Sequence, residues 1–171
     1  MLIGLNLMKL CQTIFIFCVS ILLQEPPKKL NLTHTTSFVV FPADTNANPP
    51  MAFGGNLLAH MDRCAAITTR RFLYDSPVGA KDYVTVGLDK GVFHKGAKVK
   101  DLIYVTGTVI KAKSKIVVVK VIVEKEISKD VRELLLEAEF TFCSVEITKD
   151  DQGNDKVKAI EHKLNVDSTM K

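Results

Sequence analysis

The chain has 171 residues, enough for one domain or a domain with a tail. Its content, 47% hydrophobic and 25% charged, excludes a disordered or collagen-like chain. Lys and Arg number 23 against 19 Asp and Glu, a net charge of +4 that is too weak to argue for nucleic acid by itself and would suit a small anionic ligand equally.

With no Trp and only three Tyr, stacking platforms for single-stranded nucleic acid are poorly supplied. The four Cys form no C-x-x-C pair and no disulfide framework, and His34, His60, His94 and His162 show no metal-ligand spacing, so no metal and no cofactor are expected.

The chain opens on an apolar run, Leu10 to Leu23, followed by Pro26-Pro27-Lys28-Lys29. At 14 residues the run is short for a membrane-spanning helix, which needs about 20. Residues 8–23 carry three open readings: an export signal or anchor, an upstream extension from a misplaced start codon, or an apolar tail packed on the domain. The proline-lysine stretch reads as a linker. Residues 1–29 are accordingly set apart as tail and linker. The expected location is cytoplasmic, or exported or membrane-anchored if 8–23 is retained, and only then is membrane contact expected.

Leu30 to Phe41, rich in Thr, Val and Phe, reads as a strand. Pro42 to Pro50 is a loop. After Phe53-Gly54-Gly55, apolar residues recur at Leu57, Leu58, Met61, Ala65 and Thr68, the i, i+3/i+4 spacing of a helix. It breaks near Tyr74 to Gly79. The period then becomes two over Tyr83–Phe93, Leu102–Lys111, Ile116–Ile127 and Glu133–Ile147, with β-branched residues dominating. Lys111 to Lys115 reads as a turn, Asp150 to Asp155 as a loop, and the polar residues after 150 as a fraying tail.

One helix cannot cover both faces of a five-stranded sheet. The economical solution is an α+β fold in which a curved antiparallel sheet wraps one long central helix, over residues 30–150. The outer face must be solvated or covered by another subunit, and the apolar middle strands favour self-association.

The stretch from Asp44 to Asp62 is the richest in chemistry. Two glycines at a helix start let a ligand approach the backbone, where unpaired N–H groups and the positive dipole end meet. Such donors suit a developing oxyanion, or the glycines serve only tight packing. Asp62 lies two turns further on, beside the apolar stripe. A carboxylate there is either paired or used, or it sits on a solvated flank. No G-x-S-x-G elbow is present, which argues against serine nucleophile chemistry.

The segment FPADTNANPPMAFGGNLLAHMDRCAA resembles the signature of acyl-CoA thioester hydrolases of the hotdog superfamily, in the branch of bacterial YciA-like enzymes and cytosolic acyl-CoA hydrolases. Val84-Thr85-Val86, Phe93-His94-Lys95, Val99-Lys100-Asp101 and Ala138-Glu139-Phe140-Thr141-Phe142 resemble its later motifs in order. The resemblance implies hydrolysis of an acyl-CoA to fatty acid and CoA by a homodimer at minimum, assembling to a trimer of dimers.

By position it implies Asp62 as the catalytic carboxylate, general base or nucleophile, with Asn46 orienting water or substrate. It also implies an oxyanion site from the backbone N–H groups around Gly55 and Asn56. Phe53 and Gly54 fall in the substrate-binding stretch. Lys95 and the turn bearing Lys111, Lys113, Ser114 and Lys115 are candidates for the phosphates of CoA, or ordinary solvated lysines. Pro49-Pro50 departs from the family loop, Gly96 replaces its Pro and Lys100 its Gly. That loop change motivates an alternative, a non-catalytic acyl-CoA or fatty-acyl binding module. A basic nucleic-acid binder is a third reading, and no nucleic-acid partner is expected.

Overall fold

The computed structural model describes residue 30, residues 32–80 and residues 82–167. The apolar run and linker expected over 1–29 lie outside the described residues. Strand β1 (Thr33–Val39) is followed by a 3-10 turn (Pro42–Asp44) and helix α1 (Gly54–Leu73). Then come β2 (Asp82–Phe93), β3 (Leu102–Lys113), β4 (Ile116–Ser128) and β5 (Val131–Lys149). Two short strands close the chain, β6 (Asp155–Ala159) and β7 (Val166–Asp167).

The sheet is antiparallel with order β1-β3-β4-β5-β2; β6 adds to β5 and β7 to β3. The four alternating stretches of the sequence are the four long strands. Their alternation places Ile103, Val105 and Val109 of β3 and Val117, Val119, Val121 and Val123 of β4 in the core against α1. Each such side chain taken from water contributes roughly 1.5–3 kcal/mol before the cost of ordering the chain.

The helix meets them with Leu57, Met61, Cys64, Ala65, Thr68 and Phe72, the expected stripe extended by a turn at its end. It comes close at Gly107, where a β-carbon would stand 2.6 Å from Thr68 Oγ1. Arg70 and Arg71 in the last turn complement the helix dipole.

The residues expected to fray after 150 instead return to the sheet. Beyond Ser144 the partner strand β4 has ended, and β6 takes its place beside Val145–Lys149. Residues 160–164 then cross the β3–β4 turn. His162 is fully buried: its Nε2–H donates to Ile116 O (3.2 Å), its Nδ1 accepts from Leu164 N–H (3.0 Å), and its ring meets Phe72 edge-on. Ser76 Oγ donates to the His162 carbonyl at 2.8 Å. The inward alternation here is short, His162, Leu164 and Val166, the last two packed on the core, while the exposed strand β6 is held by backbone pairing to β5.

The outer face of the sheet bears ion pairs, Lys120–Glu137 (2.7 Å), Lys90–Glu139 (2.9 Å) and Lys125–Glu133 (3.1 Å) among them. Apolar exposure is greatest along the edge strand β2, at Val86 (56%), Leu88 (49%), Val92 (46%) and Phe93 (55%). The surface asking for a partner is therefore an edge as much as a face.

Candidate active site

Helix α1 begins at Gly54 with Phe53 as its cap, and no side chain there accepts from the first turn. The Asn56 and Leu57 amides both donate to Phe53 O, at 2.9 and 3.3 Å. The open donors of the first turn are therefore those of Gly54 and Gly55, one residue earlier than the sequence expects. Both glycines are needed for this shape. A β-carbon on Gly55 would lie 2.5 Å from the Phe53 ring, and one on Gly54 would lie 3.1 Å from the Phe93 ring.

The loop before the helix closes on itself around the two prolines. Asn46 N–H donates to Met51 O (2.9 Å), Thr45 bridges Ala52, and Ala52 N–H reaches Ala97 O (2.8 Å). The proline pair thus leaves Asn46 beside the helix start. Asn46, Met51, Gly54, Leu57, Phe93 and Lys95 line one groove of about 360 Å³. The wall formed by residues 94–96 is anchored by the His94 and Lys95 amides, which both donate to Leu135 O.

Asp62 is half-buried on the side of α1 that faces β2, where its Oδ1 accepts from Thr85 Oγ1 at 3.3 Å. Thr85 is a partner of Asp62 that sequence spacing does not reveal, because the contact joins residues 23 positions apart. Eight residues separate Asp62 from Gly54, which at the rise of an α-helix is about 12 Å. One chain therefore cannot set this carboxylate against its own open amides.

The remaining candidates lie elsewhere. Lys111 and Lys113 are on β3, Lys111 opposite Asp167 of β7. Ser114 and Lys115 form the β3–β4 turn, where Ser114 Oγ meets Glu161 at 3.2 Å and Ser114 O accepts from His162 N–H. This turn stands beside the C-terminal end of α1, away from the Asn46–Gly54 groove. A larger depression of about 620 Å³, lined by Arg70, Tyr74, Asp82, Tyr83 and Ile147, lies at that same helix end. Burial raises the Tyr83 phenol above its ordinary pKa. Among the described residues no three His, Cys, Asp or Glu side chains converge as a metal site.

The one histidine of α1, His60, stacks flat on Phe38 (3.7 Å between centroids), and burial lowers its pKa. It faces β1, on the opposite side from β2, and takes no part in the groove. Cys64 is buried with Sγ 3.4 Å from Val105 O, and burial raises its thiol, so it is no nucleophile.

Residues 50–131 match the family described as the thioesterase superfamily. Among solved structures, the Staphylococcus aureus acyl-CoA hydrolase in complex with butyryl coenzyme A, coenzyme A and coenzyme A disulfide is 29% identical. That match covers 74% of this chain and 72% of the other, with a TM-score of 0.58. A hexameric thioesterase from Yersinia pestis is 27% identical over 80% of this chain and all of its own, TM-score 0.53. A hexameric hotdog fold thioesterase of Campylobacter jejuni is 26% identical over 73% of this chain and 87% of its own, TM-score 0.54. No curated protein matches the chain. The chain has the hotdog fold, and it resembles the hotdog acyl-CoA thioesterases as its signature segment implies.

Proposed function

We propose that this chain is a thioesterase that hydrolyses acyl-CoA to a free fatty acid and CoA, at a site completed by a second copy. The observation that carries the reading is the position of Asp62, half-buried against the edge strand and hydrogen-bonded to Thr85. A carboxylate in that place is held, acceptor-ready and adjacent to the surface a partner would cover.

The chemistry asks for little. A thioester carbonyl is already electrophilic and a thiolate leaves readily, so one positioned base or nucleophile and one oxyanion site suffice. Asp62 supplies the first. As base it takes a proton from water, which attacks the carbonyl carbon; the tetrahedral oxyanion collapses and expels CoA as thiolate. As nucleophile its oxygen attacks directly, and water then hydrolyses the mixed anhydride. The Gly54 and Gly55 amides face the carbonyl oxygen, and Asn46 orients water or substrate.

The axial gap between Asp62 and Gly54 supports a shared site. If β2 pairs antiparallel with β2 of a second copy, the two central helices run in opposite directions. The acid of one then approaches the helix start of the other. Exposed Val86, Leu88 and Val92 along β2 supply apolar area for that pairing. Three such dimers would give the hexamer named for the Yersinia and Campylobacter proteins. Placement in the YciA-like branch belongs to the same proposal.

Release of CoA from short-chain and long-chain acyl-CoAs by the purified protein tests it, with Asp62→Asn alongside. Turnover is expected in the parent protein and a loss of about 10²–10⁴-fold in the variant, the usual contribution of a positioned base. Binding of acyl-CoA without release, equal in both proteins, overturns hydrolysis in favour of a binding module.

A further inference from the structure

Lys95 lines the groove beside Gly54, yet its ammonium is not left to the groove. It pairs with Glu133 on β5, and the other oxygen of Glu133 pairs with Lys125 of β4 at 3.1 Å. The carboxylate is thus bridged by one cation from the groove wall and one from the sheet. Their exposures differ: the Lys95 side chain is 58% exposed and that of Lys125 only 21%. Both lysines hold the Glu133 carboxyl below its ordinary pKa, Lys95 first.

An ammonium on a flexible stem exchanges partners freely when a better anion arrives. A phosphate with two charges is such an anion. Breaking the Lys95–Glu133 pair leaves Glu133 neutralised by Lys125, so no carboxylate is stranded without a counter-ion. Lys125, packed on the sheet, is the fixed member of the trio, and Lys95 is the member with room to turn. Glu137 repeats the pattern with His94 from the same wall and Lys120 from the same strand.

We propose that Glu133 is a positioning residue that restrains Lys95 and yields it to the phosphates of a nucleotide-bearing thioester, with Lys125 setting how readily it does so. This rests on the acyl-CoA reading above and deepens it. The protein then distinguishes CoA thioesters from pantetheine thioesters, which carry no phosphate, through a competition built into the sheet. Removing the competitor tightens CoA binding; removing Lys125 leaves Glu133 wholly to Lys95 and weakens it.

The test is calorimetric binding of CoA and of pantetheine to the full chain, parent, Glu133→Gln and Lys125→Gln, at low and high salt. An exposed ion pair sets the scale of the effect, about two- to fivefold in Kd. Glu133→Gln is expected to bind CoA more tightly and Lys125→Gln more weakly at low salt, with the differences closing at high salt and pantetheine unmoved in all three. A purely structural role would weaken both variants together, and that result, or equal affinities in all three, overturns the proposal while leaving thioester hydrolysis standing. A parent protein that releases acyl groups from pantetheine thioesters and binds no CoA overturns both this proposal and the choice of CoA as carrier.

Discussion

The two ends of helix α1 are built on opposite principles. At its start, Phe53 offers no capping oxygen, two glycines bare the backbone, and Gly54 lines a groove. At its end, Phe72 and Leu73 are buried, Ser76 is tied to the C-terminal segment, and His162 has both ring nitrogens bonded. One helix thus has an end with open backbone donors and an end sealed by the chain's own return. The difference teaches that stability and reactivity are separable along this element, with Asp62 between them.

That separation is open to direct attack. The largest expected effect on folding lies at the sealed end, where Phe72→Ala should cost about 3–5 kcal/mol in a denaturant titration. The turnover of the molecules still folded at low denaturant should be unchanged; a matching fall in kcat would show the two ends to be coupled. At the open end the signs reverse. Gly55→Ala places a β-carbon 2.5 Å from the Phe53 ring, so that ring must shift beside the helix start. A drop in kcat/KM of about tenfold, or ~1.4 kcal/mol, is expected, with stability held or slightly raised because alanine favours the helix. A Gly55→Ala protein that melts much earlier would show the open end to be structural after all.

The smallest effect is one of pH. Burial lowers the pKa of His162 below its ordinary 6.5, so the unfolded chain binds its proton more readily than the folded one. Its contribution is therefore fully present above pH 6.5 and is lost as pH falls through that value toward the lowered one. His34 and His60 are shifted the same way, chiefly by burial. Denaturation midpoints at about pH 7.5 and 5.5 should show the fall, and His162→Asn should shrink it without abolishing it. An undiminished pH dependence in that variant would locate the effect in the other two histidines.

Much of this architecture is legible in the amino-acid sequence. Alternation of Val and Ile marked β3 and β4 because each strand buries one face, and the 3.6-residue stripe from Leu57 to Thr68 marked the helix because it does the same. The site was legible only where its residues are close in sequence, as with Asn46, Gly54 and Asp62. Thr85 was beyond reach because its contact depends on how the helix lies on β2. The open donors lie one residue before Asn56 because a backbone bond from the Asn56 amide to Phe53 O decides which donors stay open. The C-terminal return is hard to read for a similar reason: only His162, Leu164 and Val166 alternate inward, and the backbone pairing of exposed β6 leaves no periodic trace.

The bare cap at Phe53 carries one more consequence. Anyone seeking a hardier version of this protein would be drawn to position 53, since Ser, Thr or Asp there would satisfy the helix and gain about 1 kcal/mol. On the mechanism proposed above, that gain would come from occupying a donor that the tetrahedral intermediate uses. Thermostabilising screens and screens for turnover should therefore choose opposite residues at this one position.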